Sequence, residues 1–202
     1  SGFWTNEGIF NGNNGTLNIN GYIKTFGSGT NYFHNLTILS GKTLFAPVSG
    51  AIYVSGNWIN NGTFNNNSGT VILNGTGLQQ VKTNGSGSAF NILTINNTST
   101  EGVTFTDALY TSALNATGGV KKLSFATGSG IVHTITSSFN VAGSAGNLLV
   151  LAPATAGQVW YLNAPSCTVS YVDVSYSSQA GGKTITARNS INGGNNTRWS
   201  FL

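Results

Sequence analysis

The sequence predicts an all-β fold, a parallel β-helix (β-solenoid), from three observations: a long internal repeat, short apolar alternations bounded by Gly and Asn, and the absence of a helical period. The clearer copy of the repeat is W-I-N-N-G-T-F-N-N-N-S-G-T-V-I-L-N-G, from Trp58 to Gly75. The copy W-T-N-E-G-I-F-N-G-N-N-G-T-L-N-I-N-G, from Trp4 to Gly21, states the same plan 54 positions earlier. Trp4 aligns with Trp58, Phe10 with Phe64, and Leu17 and Ile19 with Val71 and Leu73. Downstream, F-H-N-L-T-I from Phe33 to Ile38 corresponds to F-N-I-L-T-I from Phe90 to Ile95, now 57 positions on, which places a three-residue insertion around Gly75 to Gln79. Self-similarity over such a period marks stacked units that bury a shared core. No stretch holds apolar residues at a 3.6-residue period, so helices are not expected.

Taken in order, residues 1–38 form the first repeat and residues 58–95 the second, within a single domain spanning 1–202. Leu17 and Ile19 alternate with Asn18 and Asn20, which turns the first pair inward and the asparagines outward. Asn11 to Gly15 and Asn65 to Gly69 are turn segments, because Asn and Gly accept positive φ. Asn-Gly is also a hairpin signal, and a β-sandwich is the alternative fold. Against it, stacked parallel coils would present equivalent residues of the two copies in register. Thr43 to Phe45 and Ala51 to Val54 read as strands between the repeats. Beyond Ile95, candidate strands are Val103 to Phe105, Val120 to Phe125, Ile131 to Ile135 and Leu148 to Leu151, the last reading as covered on both faces. Three strands per turn imply about seven to ten turns.

The C-terminal region, from about residue 160 to 202, closes the stack. Val172, Val174 and Tyr176 form the more apolar face of its alternation, opposite Tyr171, Asp173 and Ser175. Trp199 and Phe201 share a face at the end of the chain and are suited to covering the last turn. The predicted core is therefore Trp4, Phe10, Leu17, Ile19, Trp58, Phe64, Val71, Leu73, Leu93, Ile95, Trp199 and Phe201.

Charge is scarce. Only 6% of the 202 residues are charged, while 39% are hydrophobic, which argues for a folded chain rather than a disordered one. The formal charge of +4 comes from eight basic residues spread along the chain. They are too few and too dispersed to neutralise several phosphates, so no nucleic-acid partner is expected. No apolar run is long enough for a transmembrane segment. The single Cys167 excludes an internal disulfide and reads as a buried small hydrophobe.

The same scarcity limits chemistry. The acids are Glu7, Glu101, Asp107 and Asp173, and the histidines His34 and His133. Acid–base catalysis needs paired carboxylates or a histidine in a pocket, and a metal needs clustered ligands. No spacing here supplies either, so no catalytic, metal or cofactor site is expected, and no cofactor. Glu101 and Asp107 flank a short strand and read as corner residues. Asp173 calls for a local partner such as Arg188 or Ser175. Tyr22, Tyr32, Tyr53, Tyr110 and Tyr176 are candidates for stacking against sugars. Thr-x-Thr triplets recur too irregularly for a flat ice-binding ladder.

The pattern W-x-N-x-G-x-F-N-x-x-x-G-T-x-x-x-x-G at Trp4 and Trp58 resembles repeats of large bacterial cell-surface and secreted proteins of the right-handed parallel β-helix type. The ending Y-V-D-V-S-Y…I-T-A-R-N-S-I-N-G-G-N-N-T-R-W-S-F, Tyr171 to Phe201, is similar to the end of such regions. The resemblance implies a right-handed β-helix located outside the cell or on its surface, with an adhesive, structural or filament-forming role. The related pectin-lyase-like enzymes use clustered acidic and basic residues on one face, a pattern absent here. The expected function is a non-enzymatic spacer or self-assembling fibre subunit, partnered by copies of itself or by neighbouring surface-protein domains. The alternative is a carbohydrate-binding or adhesin module with a glycan partner. An enzyme acting on polysaccharide would require two or more of Glu7, Glu101, Asp107, Asp173, Lys121 and Arg188 to converge.

Overall fold

The computed structural model describes residues 2–26, 30–48 and 50–202. They form a parallel β-solenoid of about nine turns. Strands of two to 11 residues are linked by corners, and each pairs with strands of the neighbouring coils in parallel register. Antiparallel hairpins, the basis of a sandwich, do not link these strands. The Asn/Gly clusters are corners instead, with Asn13 at φ 47° and its repeat partner Asn67 at φ 45°. Both are left-handed positions that Asn tolerates better than most residues.

The first coils are three-sided. Face A is a four-stranded sheet of Gly2–Thr5, Tyr22–Phe26, Thr43–Phe45 and Thr63–Asn65. Face B begins with Ile9–Asn11, Thr30–Phe33, Ala51–Val54 and Thr70–Leu73 and continues to Trp199–Phe201. Face C is nine-stranded, from Thr16–Ile19 to Ile191–Asn192. Beyond Asn65 the sheet on face A stops, and a 3₁₀ turn at Ser86–Ser88 packs over Thr63–Asn65. Higher up, the 11-residue strand Val132–Ala142 pairs with Trp160–Asn163 along its first part and with Cys167–Ser170 along its second.

Alternation along each strand delivers one apolar row per coil to the interior. On face B one inward column runs Phe33, Val54, Leu73, Ile95, Ala116, Val141, Val169, Ala187 and Phe201, each the register partner of the next. On face C, Leu17, Leu36, Trp58, Val81 and Phe105 stack in the same way. Ile19, Trp58, Phe64, Val71, Leu73, Leu93 and Ile95 are buried; Trp4, Phe10, Leu17, Trp199 and Phe201 are partly buried and pack against the same core. That second group lies in the first and last coils, which have a neighbouring coil on one side only among the described residues. In the upper coils Phe105, Phe125 and Trp160 form an aromatic column, with the Phe125 and Trp160 rings nearly parallel and their centres 4.1 Å apart.

The two repeats do not stack on one another. Trp4 lies on face A but Trp58 on face C, Phe10 on B but Phe64 on A, and Leu17 and Ile19 on C but Val71 and Leu73 on B. Register partners Leu17 and Leu36 are 19 positions apart and Trp58 and Val81 are 23 apart. A 54-residue offset therefore falls short of three coils by one face. What repeats is local geometry. Trp4 meets Phe10 edge-on at 4.7 Å and 82°, and Trp58 meets Phe64 at 4.8 Å and 79°. Phe33 and Phe90 complete the two clusters, 5.6 Å from Phe10 and 5.7 Å from Phe64.

Two other expectations are corrected. Leu148 and Val150 are half-exposed while Leu149 and Leu151 are buried, so this aliphatic run alternates rather than being covered on both sides. Val172 and Val174 face inward, but Tyr176 does not follow them. Its φ of 54° breaks the alternation at a corner and hands the inward positions to Ser177 and Gln179.

Corners are held by side-chain amides that reach one coil up or down. Asn60 donates to the Thr83 carbonyl at 3.0 Å, Asn66 to Ala89 at 2.9 Å, Asn67 to Ala46 at 2.8 Å and Asn84 to Gly62 at 2.8 Å. Each supplies a partner to a carbonyl that would otherwise lose water on stacking. Gly62, in the repeat's W-x-N-x-G, sits where the Leu39 and Lys42 carbonyl oxygens of the coil below leave no room for a Cβ. Replacing Gly62 by Ala is expected to destabilise the fold by about 2–3 kcal/mol through overpacking. Gly77→Ala, in open space, is expected to stay within about 0.5 kcal/mol. Chemical denaturation of the two variants checks the difference.

Candidate functional site

The ionisable residues are dispersed. Asp107 is a corner clamp whose two carboxylate oxygens accept the Thr83 and Asn84 backbone N–H groups, each at 2.8 Å. Glu101 is exposed at another corner, and its N–H is held by Ser99 Oγ at 3.0 Å. Asp173 lies on the outer side of face C between Val150 and Ile191, and hydrogen bonds to Arg188 or Ser175 are not formed. Lys121 reaches the Asn147 amide oxygen at 3.4 Å. Among the described residues no group of three or more His, Cys, Asp or Glu could hold a metal ion.

The histidines differ. His34 is half-buried at the corner between faces B and C, with Nδ1 3.1 Å from Ser55 Oγ. His133 is fully buried inside the upper coils, edge-on to Phe125 at 5.1 Å. Its Nδ1 accepts the Leu109 N–H at 3.1 Å, which leaves Nε2 as the protonated nitrogen donating to the Ala126 carbonyl at 3.0 Å. Burial pushes its pKa down to about 4, against smaller upward effects of the Ala126 carbonyl and Asp107. Cys167 is half-buried in the inward column after Phe139, and burial pushes its thiol up to about 11, with Lys183 opposing. The thiol is therefore protonated and inert at neutral pH.

Surfaces carry more information than these groups. At the first coil Phe3 is 73% and Ile9 80% exposed, and Trp4, Leu17, Ile19, Ile23, Leu44 and Ile52 help to line an apolar opening of about 270 Å³ into the solenoid interior. At the last coil Trp199 and Phe201 stack with ring centres 6.2 Å apart, and Ile191 and Leu202 are 53% and 66% exposed. Of the five tyrosines considered as sugar platforms, Tyr22 packs on Phe45 on the outside of face A, with the Lys24 ammonium 5.6 Å from the Phe45 ring. Tyr32 and Tyr53 pack against each other outside face B, ring centres 4.8 Å apart and tilted by 38°. Tyr110 and Tyr176 are half-buried and have no such ring partner among the described residues. Sequence reading did not single out Phe3, Ile9 or Asn74; their exposure and surroundings depend on which coil lies next to them, and no local pattern signals that.

Comparison with protein-family models, with curated proteins and with solved structures gives no match to this chain. The fold and surface define a parallel β-solenoid with apolar ends and almost uncharged sides.

Titration of His133 links stability to pH. The unfolded imidazole takes up its proton near pH 6.5 and the folded one only near pH 4, so stability is complete above pH 6.5 and falls as pH is lowered towards 4. The loss amounts to about 3 kcal/mol over that window. Denaturation midpoints from pH 7 to 4 are expected to fall in the native protein and to fall less in His133→Gln.

Proposed function

We propose that the chain is a non-enzymatic structural module of the cell exterior, a spacer or fibre subunit whose ends join to further solenoid, in the first instance a second copy of itself. The observation that carries this reading is the chemistry of the two ends. Each presents a parallel strand edge whose backbone groups are spaced for another coil, together with inward-row aromatics that are only partly covered. Such an edge is a template for strand addition, and apolar residues beside it favour burial. Low charge keeps repulsion between copies small. Joining the last coil of one copy to the first coil of the next is a head-to-tail contact, which propagates as a filament rather than closing as a dimer.

Extracellular location is part of the same proposal and is supported by the sequence resemblance and by the amide-rich, charge-poor surface. An enzymatic reading is weaker, because Glu7, Glu101, Asp107, Asp173, Lys121 and Arg188 line neither the apolar opening nor the corner clefts described below. The purified chain is expected to grow in mass with concentration by light scattering and to show linear particles by electron microscopy. Ile9→Lys, at an exposed edge, is expected to abolish the growth without lowering the thermal midpoint. A native chain that stays monomeric over a wide concentration range removes the self-association.

A further inference from the structure

We propose that the corner between faces B and C in the first coils is a binding site for an uncharged saccharide, a role separate from end-to-end association. His34, Ser55, Asn57, Asn74 and Leu78 help to line a cleft of about 390 Å³ there. A second hollow of about 180 Å³ shares Ser55 and Asn74 with it and extends to Tyr32. The two hollows adjoin at Ser55 and Asn74, and the larger is in the size range of small-molecule sites. Neither lining contains Lys, Arg, Asp or Glu. With no charge to balance, an ionic ligand would lose hydration without compensation, whereas amides, a hydroxyl and an imidazole suit a ligand made of hydroxyl groups.

Asn74 is the sharpest feature. Its side-chain oxygen is buried yet has no hydrogen-bond partner among the described residues. Other corner asparagines give their amides to the next coil, but here Gln79 has taken that work. Its side chain accepts the Gly75 N–H at 2.8 Å and donates to the Val54 carbonyl at 2.9 Å and to that of Gly56. The exposed loop of residues 76–78 arches outward between the two. Asn74 is thus released from stacking and lines both hollows, with its unpartnered oxygen just beneath their surface; a ligand hydroxyl that draws the amide outward supplies the missing donor. Two other buried oxygens without partners, Thr83 Oγ1 and Gln179 Oε1, line neither hollow.

An aromatic wall completes the site. Tyr32 is 37% exposed and is held by Tyr53 at 4.8 Å, so its ring can take the apolar face of a sugar without reordering. Leu78, 43% exposed, offers an apolar edge to the larger cleft.

The test is affinity electrophoresis through gels containing soluble glucan, xylan or mannan, with polygalacturonate as the charged control. At least one neutral polymer is expected to retard the protein. Tyr32→Ala and Asn74→Ala are each expected to weaken binding at least tenfold, while Tyr22→Ala on face A leaves it unchanged. Because the Asn74 oxygen holds no internal bond, Asn74→Ala should melt like the native protein; if it does not, the exposed Tyr32→Ala carries the test. The proposal is overturned if none of the three neutral polymers retards the protein, if polygalacturonate retards it as strongly, or if Tyr32→Ala leaves the affinity within twofold.

Discussion

Parallel hydrogen bonding between one coil and the next is the constraint on which the rest of the structure depends. Each strand finds its partner about twenty residues away, as in Gly2 with Ile23 or Tyr22 with Thr43, and the inward columns follow from that register. A slip of one residue would turn a whole inward row to solvent. The corners therefore have to keep the coils in step, which explains where asparagine and glycine fall. Amides of Asn60, Asn66, Asn67 and Asn84 tie one coil to another, and Gly62 admits the carbonyls of the coil below.

This constraint also explains why the sequence repeat and the structural repeat differ. The sequence repeats a strand–corner–strand–corner–strand unit with its Trp/Phe cluster, and the cluster has nearly the same geometry in both copies. The structure repeats a coil. Because the three faces of the early coils are alike in strand length and inward polarity, the unit works equally well starting from face A or from face C. Trp58, with coils on both sides, is buried, whereas Trp4, with a coil on one side only, is not.

What could be read from the sequence divides along the same line. Thr43–Phe45, Ala51–Val54 and Val103–Phe105 are legible to the residue, since short alternations bounded by Gly or Pro are local signals. The face each strand occupies is not, because it depends on the summed lengths of all preceding corners. Tyr176 escapes the alternation because its left-handed φ has no composition cue such as Gly or Asn at that position. At the candidate sites, Tyr32 and Tyr53 could be named from the sequence but not paired. Asn74 could not be singled out among so many asparagines, since its open oxygen results from Gln79 folding back into the corner. Among the described residues no group of three or more acids, histidines or cysteines clusters, and the roles proposed for the chain rest on the ends and on one corner of the solenoid.

Disulfide trapping tests the register most directly. In a Cys167→Ala background, Thr37→Cys with Ile59→Cys places two thiols on outward-facing register partners of face C. Asn18→Cys with Ile72→Cys places them on residues equivalent in the sequence repeat but on faces C and B. The account predicts that the first pair closes rapidly on mild oxidation and the second does not. Closure of the 18/72 pair with failure of the 37/59 pair would contradict it, because the two repeats would then stack on one another.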